Sequence, residues 1–297
     1  MTPTGTRMHT APVSSAIDPW VFLNGHFMPL QEAKVPVLDR GFIFGDGIYE
    51  VVPVYAGKPF RWAEHLGRLK RSLAKVRIDN PYADAEWTDL VRELVARHPW
   101  PRQFVYLHIT RGVARRDHAF PDAVSPTVFA MASELLPAPA IQREEGVAAV
   151  SLEDKRWLQC DIKSISLLGN VLARQAAVDA GAVECIQFRD GMMTEGSSSN
   201  IWVVRGTTLT GAPVDHRILE GIRVGLIESL CAACGLAFRT AALSREEVAA
   251  ADELLLSSAT KEVLPITRLD GLPVGSGRPG PVYARLYQAY QDAIAAC

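Results

Sequence analysis

The sequence predicts an α+β fold in two domains, and three observations carry that reading. The chain has 297 residues, against roughly 150 per typical domain. Strand-like and helix-like segments occur in both halves, without the regular β-α-β-α alternation of a doubly wound parallel sheet. Between the halves lies Leu135-Leu136-Pro137-Ala138-Pro139-Ala140, where two prolines remove backbone donors and stiffen the chain. The expected divisions are a flexible extension over 1–17, a smaller domain over 18–134, a linker over 135–140 and a larger domain over 141–297.

In the first half, Trp20–Asn24 and Gly25–Leu30 read as a hairpin, and Val51–Tyr55 before Ala56-Gly57-Lys58 as a strand entering another. Leu66, Leu69, Leu73 and Val76 recur at helical spacing, as do Trp87, Leu90, Val91, Leu94 and Val95, so each set marks an amphipathic helix. Phe104–Thr110 and Thr127–Ala132 are β-rich. In the second half, Val147–Leu152 is an expected strand, and Leu167–Ala180 an expected helix that stops at Gly181. Glu184–Phe188 and Met192-Met193 flank Asp190-Gly191, a hairpin signature. Asn200–Val204 and Glu253–Ser257 are expected strands, and Gly221–Ala233 and Val282–Ala295 expected helices.

Composition excludes several functions. With 31 Lys+Arg against 33 Asp+Glu the net charge is −2, which gives no support to nucleic-acid or anionic-membrane binding. No uncharged apolar run reaches the ~18–20 residues that span a bilayer, and the N-terminus has no apolar signal core. Five cysteines, an odd number in a long chain, argue against a secreted disulfide framework, so the cytoplasm is expected. Cys231-Ala232-Ala233-Cys234 has redox or zinc spacing but no second ligand pair, and reads as helix packing. The histidines form no metal-spaced cluster, and no metal is expected.

Three segments are unusual for plain scaffold. In Cys160-Asp161-Ile162-Lys163-Ser164, a lysine sits among apolar and small residues just before a helix. Such a lysine is either solvated surface or an amine whose lowered pKa allows a Schiff base with an aldehyde cofactor. Met193-Thr194-Glu195-Gly196-Ser197-Ser198-Ser199-Asn200, between two strands, reads as a polar hairpin loop or as a cradle for an anionic cofactor with a cationic ring. Thr110–His118 packs Arg111, Arg115, Arg116 and His118 at a strand end, which suits a solvated turn or a grip on a substrate carboxylate.

Taken in order, these segments resemble the fold-type IV pyridoxal-phosphate aminotransferases. Asp39-Arg40-Gly41-Phe42-Ile43-Phe44-Gly45-Asp46-Gly47-Ile48-Tyr49-Glu50-Val51, Arg156-Trp157-Leu158-Gln159-Cys160-Asp161-Ile162-Lys163-Ser164 and Thr194–Asn200 carry the resemblance. It implies a smaller N-terminal α/β domain and a larger β-rich pseudo-barrel domain with helices. It implies pyridoxal 5'-phosphate as cofactor, held by Lys163 as a Schiff base and by Glu195 at the ring nitrogen. Arg68, Ser198, Ser199, Ile222, Arg223, Ser258 and Ala259 are its further implied contacts. Relatives usually have threonine where this chain has Arg223 and Ala259, so backbone amides and the Ser258 hydroxyl are left to supply donors there.

The substrate side rests on Arg116-Asp117-His118, which resembles the Arg-x-His carboxylate trap of the D-amino-acid-transaminating branch. The resemblance implies ping-pong transfer between D-amino acids (D-alanine, D-glutamate, D-aspartate) and 2-oxo acids (pyruvate, 2-oxoglutarate). It also implies a homodimer in which Arg116 and His118 reach the neighbouring subunit's site and join Tyr49. Val51, Pro53 and Tyr55 are expected to line the pocket, with Pro53 a departure from longer or polar residues. The rivals of similar sequence are branched-chain L-amino-acid transaminases, (R)-amine transaminases and aminodeoxychorismate lyases.

Overall fold

The structure, a computed structural model, describes residues 19–297. The expected 1–17 extension lies outside the described residues. Residues 20–134 form one antiparallel sheet with strands β1 (Trp20–Leu23), β2 (His26–Pro29), β3 (Gly47–Tyr55), β4 (Lys58–Pro59), β5 (Arg102–Thr110) and β6 (Thr127–Glu134), in spatial order β2-β1-β6-β5-β3-β4. A short helix α1 (Arg40–Phe44) precedes β3, and α2 (Trp62–Lys75) and α3 (Asp84–Ala96) follow β4. The first hairpin closes where its turn residues allow: Asn24 and Gly25 both take positive φ (47° and 92°), the geometry that matches strand twist. Leu66, Leu69 and Leu73 of α2 and Trp87, Leu90, Val91 and Leu94 of α3 pack with Val52, Val105 and Leu107 in one core, as their spacing predicts.

Strand β3 begins four residues earlier than its apolar run suggests, because Gly47–Glu50 continues the ladder against Leu107–Thr110. Pro53 sits inside it without breaking the sheet. The Phe60 N–H donates to the Pro53 carbonyl at 2.8 Å, so this residue's backbone polar groups face the short β4 edge. The donor that proline lacks is therefore not one that β5 needs.

The second half carries α4 (Ala140–Glu144), β7 (Val147–Glu153), α5 (Leu168–Asp179), β8 (Glu184–Arg189), β9 (Met192–Gly196), β10 (Asn200–Arg205), β11 (Thr208–Gly211), α6 (Ile222–Ala233), β12 (Ala237–Thr240), α7 (Arg245–Ala249), β13 (Glu253–Ser258), β14 (Glu262–Leu269), β15 (Leu272–Pro273) and α8 (Pro281–Ala295). Its mixed sheet runs β12-β11-β10-β13-β14-β7-β8-β9, with β15 on β14. Helix α5 ends at Gly181 in the left-handed region (φ 70°), and Asp190-Gly191 turns β8 into β9.

That strand order forces curvature. Strands β9 and β10 are five positions apart in the sheet yet joined only by residues 197–199. A flat sheet would separate them by about 24 Å, while four extended residues reach about 14 Å. The sheet must curl until its ends approach, and the serine loop closes the gap.

Leu135, expected in the linker, is buried with Tyr55 and Phe60 of the first half and Leu226, Val282 and Leu286 of the second. Only residues 136–139 then run between Leu135 and α4.

Candidate active site

Where the curled sheet meets β3, a cavity of about 500 Å³ opens. The segment carrying Lys163 is laid along β3: the Tyr49 N–H donates to the Lys163 carbonyl at 2.9 Å, and the Ile165 N–H to the Gly47 carbonyl at 3.1 Å. The Lys163 N–H donates to Ser72 Oγ at 3.4 Å. With its backbone held this way, the half-buried side chain enters the cavity, Nζ lying 4.1 Å from the centre of the Tyr49 ring. Among the described residues no carboxylate comes within ion-pair distance of it.

Glu195 lies on β9 rather than in a loop. The run 193–200 divides into strand through Gly196, a three-serine turn, and β10. Its polar composition hides the strand, because Thr194 satisfies its hydroxyl internally on Asp154 and on the Gln187 carbonyl. The Glu195 carboxylate is buried and accepts from Arg156 and from the Leu219 N–H at 3.2 Å. Arg156 is itself held by Asp154 at 2.8 and 2.9 Å and by the Arg217 carbonyl at 3.2 Å. Burial raises the Glu195 pKa, against the pull of Arg156, the Leu219 N–H and Lys163. Arg156, inside a quoted motif, has no role assigned from sequence. Its signal is its place seven residues before the lysine.

On the opposite side Arg68 clamps Glu50 with Nε and Nη2 (2.7 and 2.8 Å) and donates through Nη1 to the Glu220 carbonyl at 3.0 Å. His65 Nδ1 meets Glu50 at 2.9 Å, while Nε2 is buried with no partner among the described residues. Burial pushes His65 down to about 4, outweighing its carboxylate neighbour. Burial works against ionised Glu50, yet Arg68 and His65 hold that carboxyl well below the usual range. Sequence reasoning assigns no role to Glu50 or His65, since the pairing emerges only when α2 packs on β3.

Ser198, Ser199, Ile222, Arg223, Ser258 and Ala259 all line the same cavity, as do Tyr49 and Val51. The Ser199 hydroxyl proton goes to Glu184 at 2.8 Å, so its oxygen can accept but not donate. Helix α6 begins with no side-chain cap, so its first-turn amides open at the cavity. Arg223 is 2% exposed, and its Nε and Nη1 are buried with no hydrogen-bond partner among the described residues. Its Nη2 reaches the Ala259 carbonyl at 3.4 Å, and its guanidinium lies over Phe60 and Tyr290, at 5.4 and 5.9 Å.

Pro53 and Tyr55 do not line the cavity; Tyr55 is buried, with its hydroxyl on Glu262 at 3.3 Å. Arg116 and His118 do not line it either. Both are exposed, stacked near Phe44 at 5.4 and 5.3 Å. The arginine cluster separates: Arg111 is buried and bound to Asp46 at 2.8 and 3.0 Å. Cys231 packs in the core of α6 and α8, where burial pushes its thiol up to about 12. No helix among the described residues is long and apolar enough to cross a membrane.

The model of the amino-transferase class IV family matches residues 47–269. D-alanine aminotransferase of Bacillus licheniformis is 39% identical over 274 residues, covering 92% of this chain and 96% of that protein. D-alanine aminotransferase of Staphylococcus aureus (strain COL) is 40% identical over 275 residues, covering 92% and 97%. Among solved structures, the branched-chain amino acid aminotransferase of Escherichia coli superposes with a TM-score of 0.88 at 26% identity, covering 93% of this chain and 94% of that one. The branched-chain aminotransferase of the thermophilic archaeon Thermoproteus uzoniensis, solved with norvaline, does so at 0.84 and 25%, covering 93% and 94%.

Proposed function

The chain belongs to the amino-transferase class IV family, and on that footing we propose that it moves amino groups between D-amino acids and 2-oxo acids with pyridoxal 5'-phosphate as cofactor. One observation carries the chemistry: a lysine with no carboxylate partner among the described residues and a buried carboxylate open into one cavity of about 500 Å³. The D-alanine aminotransferases, 39–40% identical over 92% of the chain, carry the choice of substrate. They outweigh the branched-chain enzymes, which share the fold at 25–26% identity.

The donor set fits the cofactor. The start of α6, which has no side-chain cap, leaves first-turn amides that a phosphate would satisfy. Arg68, the Ile222 and Arg223 N–H groups, the Ser258 hydroxyl and the Ala259 backbone would share that phosphate, while Ser198 and Ser199 border the ring. Pyridoxal phosphate supplies an aldehyde that takes up an amino group, and a cationic ring that draws off the electrons left when a Cα proton departs.

The chain's residues do the rest. Lys163 would hold the aldehyde and, as a free amine, would carry the proton to and from Cα; such positioned acid–base catalysis contributes ~10²–10⁴-fold. Glu195 would keep a proton on the ring nitrogen through a charge-assisted hydrogen bond, about 1.5–3 kcal/mol. Arg156 and the Leu219 N–H hold that carboxylate in place so it does not turn. Tyr49 and Val51 border the substrate side.

A second copy of the chain completes the site in this reading. The trap residues Arg116 and His118 stand clear of their own cavity, and the 37–42 segment, which is bonded to the same loop through Leu38, exposes apolar side chains, with Val37 72% and Phe42 77% exposed. Helix α5 adds exposed Leu168, Val171 and Leu172. Surface of this kind marks a protein interface. The cytoplasm is the proposed location; five free cysteines fit a reducing compartment.

The test is a panel of D- and L-amino acids with pyruvate or 2-oxoglutarate, scored for the new amino acid and its handedness. D-alanine and D-glutamate are the expected donors. Transfer confined to L-branched-chain substrates, or pyruvate released by elimination, overturns the reading.

A further inference from the structure

Two walls of the cavity come from segments remote in sequence, the 196–199 loop and the 257–260 turn. Behind both lies Glu184, the first residue of β8, with 0% exposure. Its Oε1 accepts from the Cys185 N–H at 3.0 Å, the Ser197 N–H at 2.9 Å and the Ser197 hydroxyl. Its Oε2 accepts from the Ser199 hydroxyl at 2.8 Å and from Lys261 Nζ at 3.2 Å. Lys261 follows the second wall directly, and its N–H donates to Ser258 Oγ at 3.1 Å.

One buried carboxylate therefore gathers donors from both walls. Burial opposes the charge, but Lys261 and the serine donors outweigh it and hold the carboxyl below its usual range. The consequence is geometric. With Ser197 and Ser199 turned back to Glu184, the Ser198 between them is exposed toward the cavity. Gly196 has no room for a side chain: a Cβ would collide with Ser199 Oγ and lie 3.1 Å from Glu184 Cδ. The far side of the loop is tied as well, through Asn170 Nδ2 on the Ser197 carbonyl at 2.8 Å and Gln187 Nε2 on the Gly196 carbonyl at 2.9 Å.

We propose that Glu184 is a positioning residue: through Ser197, Ser199 and Lys261 it holds Ser198 and the Ser258 turn at the separation the bound cofactor requires, without touching the cofactor itself. The proposal rests on reading the cavity as the pyridoxal-phosphate site. A carboxylate that served only the packing of β8 would affect stability alone, whereas one that sets the span between the walls controls how tightly the cofactor is held.

The experiment compares wild type, Glu184→Gln, Lys261→Met and the double variant. Each is stripped of cofactor and titrated with pyridoxal 5'-phosphate, following the visible band of the bound form, and the cofactor-free melting temperature is recorded. The expected result is a roughly ten-fold weaker Kd in each single variant and, in the double variant, no loss beyond that of Glu184→Gln, since the Lys261 side chain acts through Glu184. Lys261→Met keeps the test decisive if Glu184→Gln does not fold, because the Lys261 side chain is 24% exposed and methionine keeps most of its length and volume. An unchanged Kd and band with only a lower melting temperature overturns the proposal, as do fully additive losses. A wild-type protein that takes up no pyridoxal 5'-phosphate would instead refute the reading of the cavity.

Discussion

The two loops that carry the most distinctive sequence chemistry are built in opposite ways. The serine loop after β9 is closed internally: Glu184, Asn170, Gln187 and the Gly196–Ser199 backbone bond consume its polar groups and leave Ser198 facing the cavity. In the arginine loop after β5 it is the backbone that is held. Arg40 reaches the carbonyls of Asp117, His118 and Ala119, and Arg111 anchors the loop base through Asp46 and the carbonyls of Val76 and Arg77. Arg115, Arg116 and His118 then project into solvent. The backbone of this loop is held and its charges point outward. In the proposed reading, the cofactor wall is complete within one chain, whereas the carboxylate anchor would serve a second copy.

The largest test of that contrast uses two crippled proteins. Lys163→Ala should abolish turnover with the fold intact, and Arg116→Ala should raise KM for amino acids about 10–100-fold with cofactor affinity unchanged. Co-expressed, the two should regain about a quarter of the wild-type sites, because half the dimers are mixed and each mixed dimer has one intact site. No recovery in assays at low substrate would mean that the loop serves its own subunit, and the comparison breaks.

A smaller effect is expected at Arg223, whose unpartnered nitrogens contrast with the saturated serine loop. Arg223→Thr should weaken pyridoxal 5'-phosphate about ten-fold, roughly one lost charge-assisted contact, while leaving dephosphorylated pyridoxal unaffected. Equal Kd values for pyridoxal 5'-phosphate in variant and wild type would remove Arg223 from the phosphate site.

The smallest concerns acid stability. His65 titrates near 4 when folded against an ordinary value of 6.5. As pH falls from 6.5 to 4, the unfolded chain binds a proton that the folded chain refuses, so stability drops across that window. Glu50, held lower still, keeps its contribution until more acid conditions. His65→Gln should flatten the slope of melting temperature against pH between 6.5 and 4; an unchanged slope would assign the loss to other groups.

Much of this molecule is legible from its residues. The spacing of Leu66, Leu69 and Leu73 marks α2, Gly181 marks the end of α5, and Asp190-Gly191 marks the turn into β9. The lysine and glutamate motifs indicate two residues that share a cavity. Strand β9 is harder to see because its polar residues are buried against internal partners, which defeats an alternation rule based on solvent exposure. Arg156, Glu50 and His65 escape notice as site residues because nothing local distinguishes a structural ion pair from a functional one. Arg111 and Arg116 look alike in sequence, although five residues separate a buried bond to Asp46 from an exposed charge.

The turns, the amphipathic faces and the chemical inventory of the site are written in the residue order alone. They follow from backbone sterics and from periodic burial within a few residues. Which groups meet is settled by packing. Arg156 reaches Glu195 because the segment after β7 lies beside β9 across β8, and Lys261 reaches Glu184 because the turn before β14 lies near the start of β8 across β7. Arg116 faces away because Arg40 holds the carbonyls of Asp117, His118 and Ala119 from α1, and pairings across such distances depend on how whole elements are stacked, which no local pattern encodes.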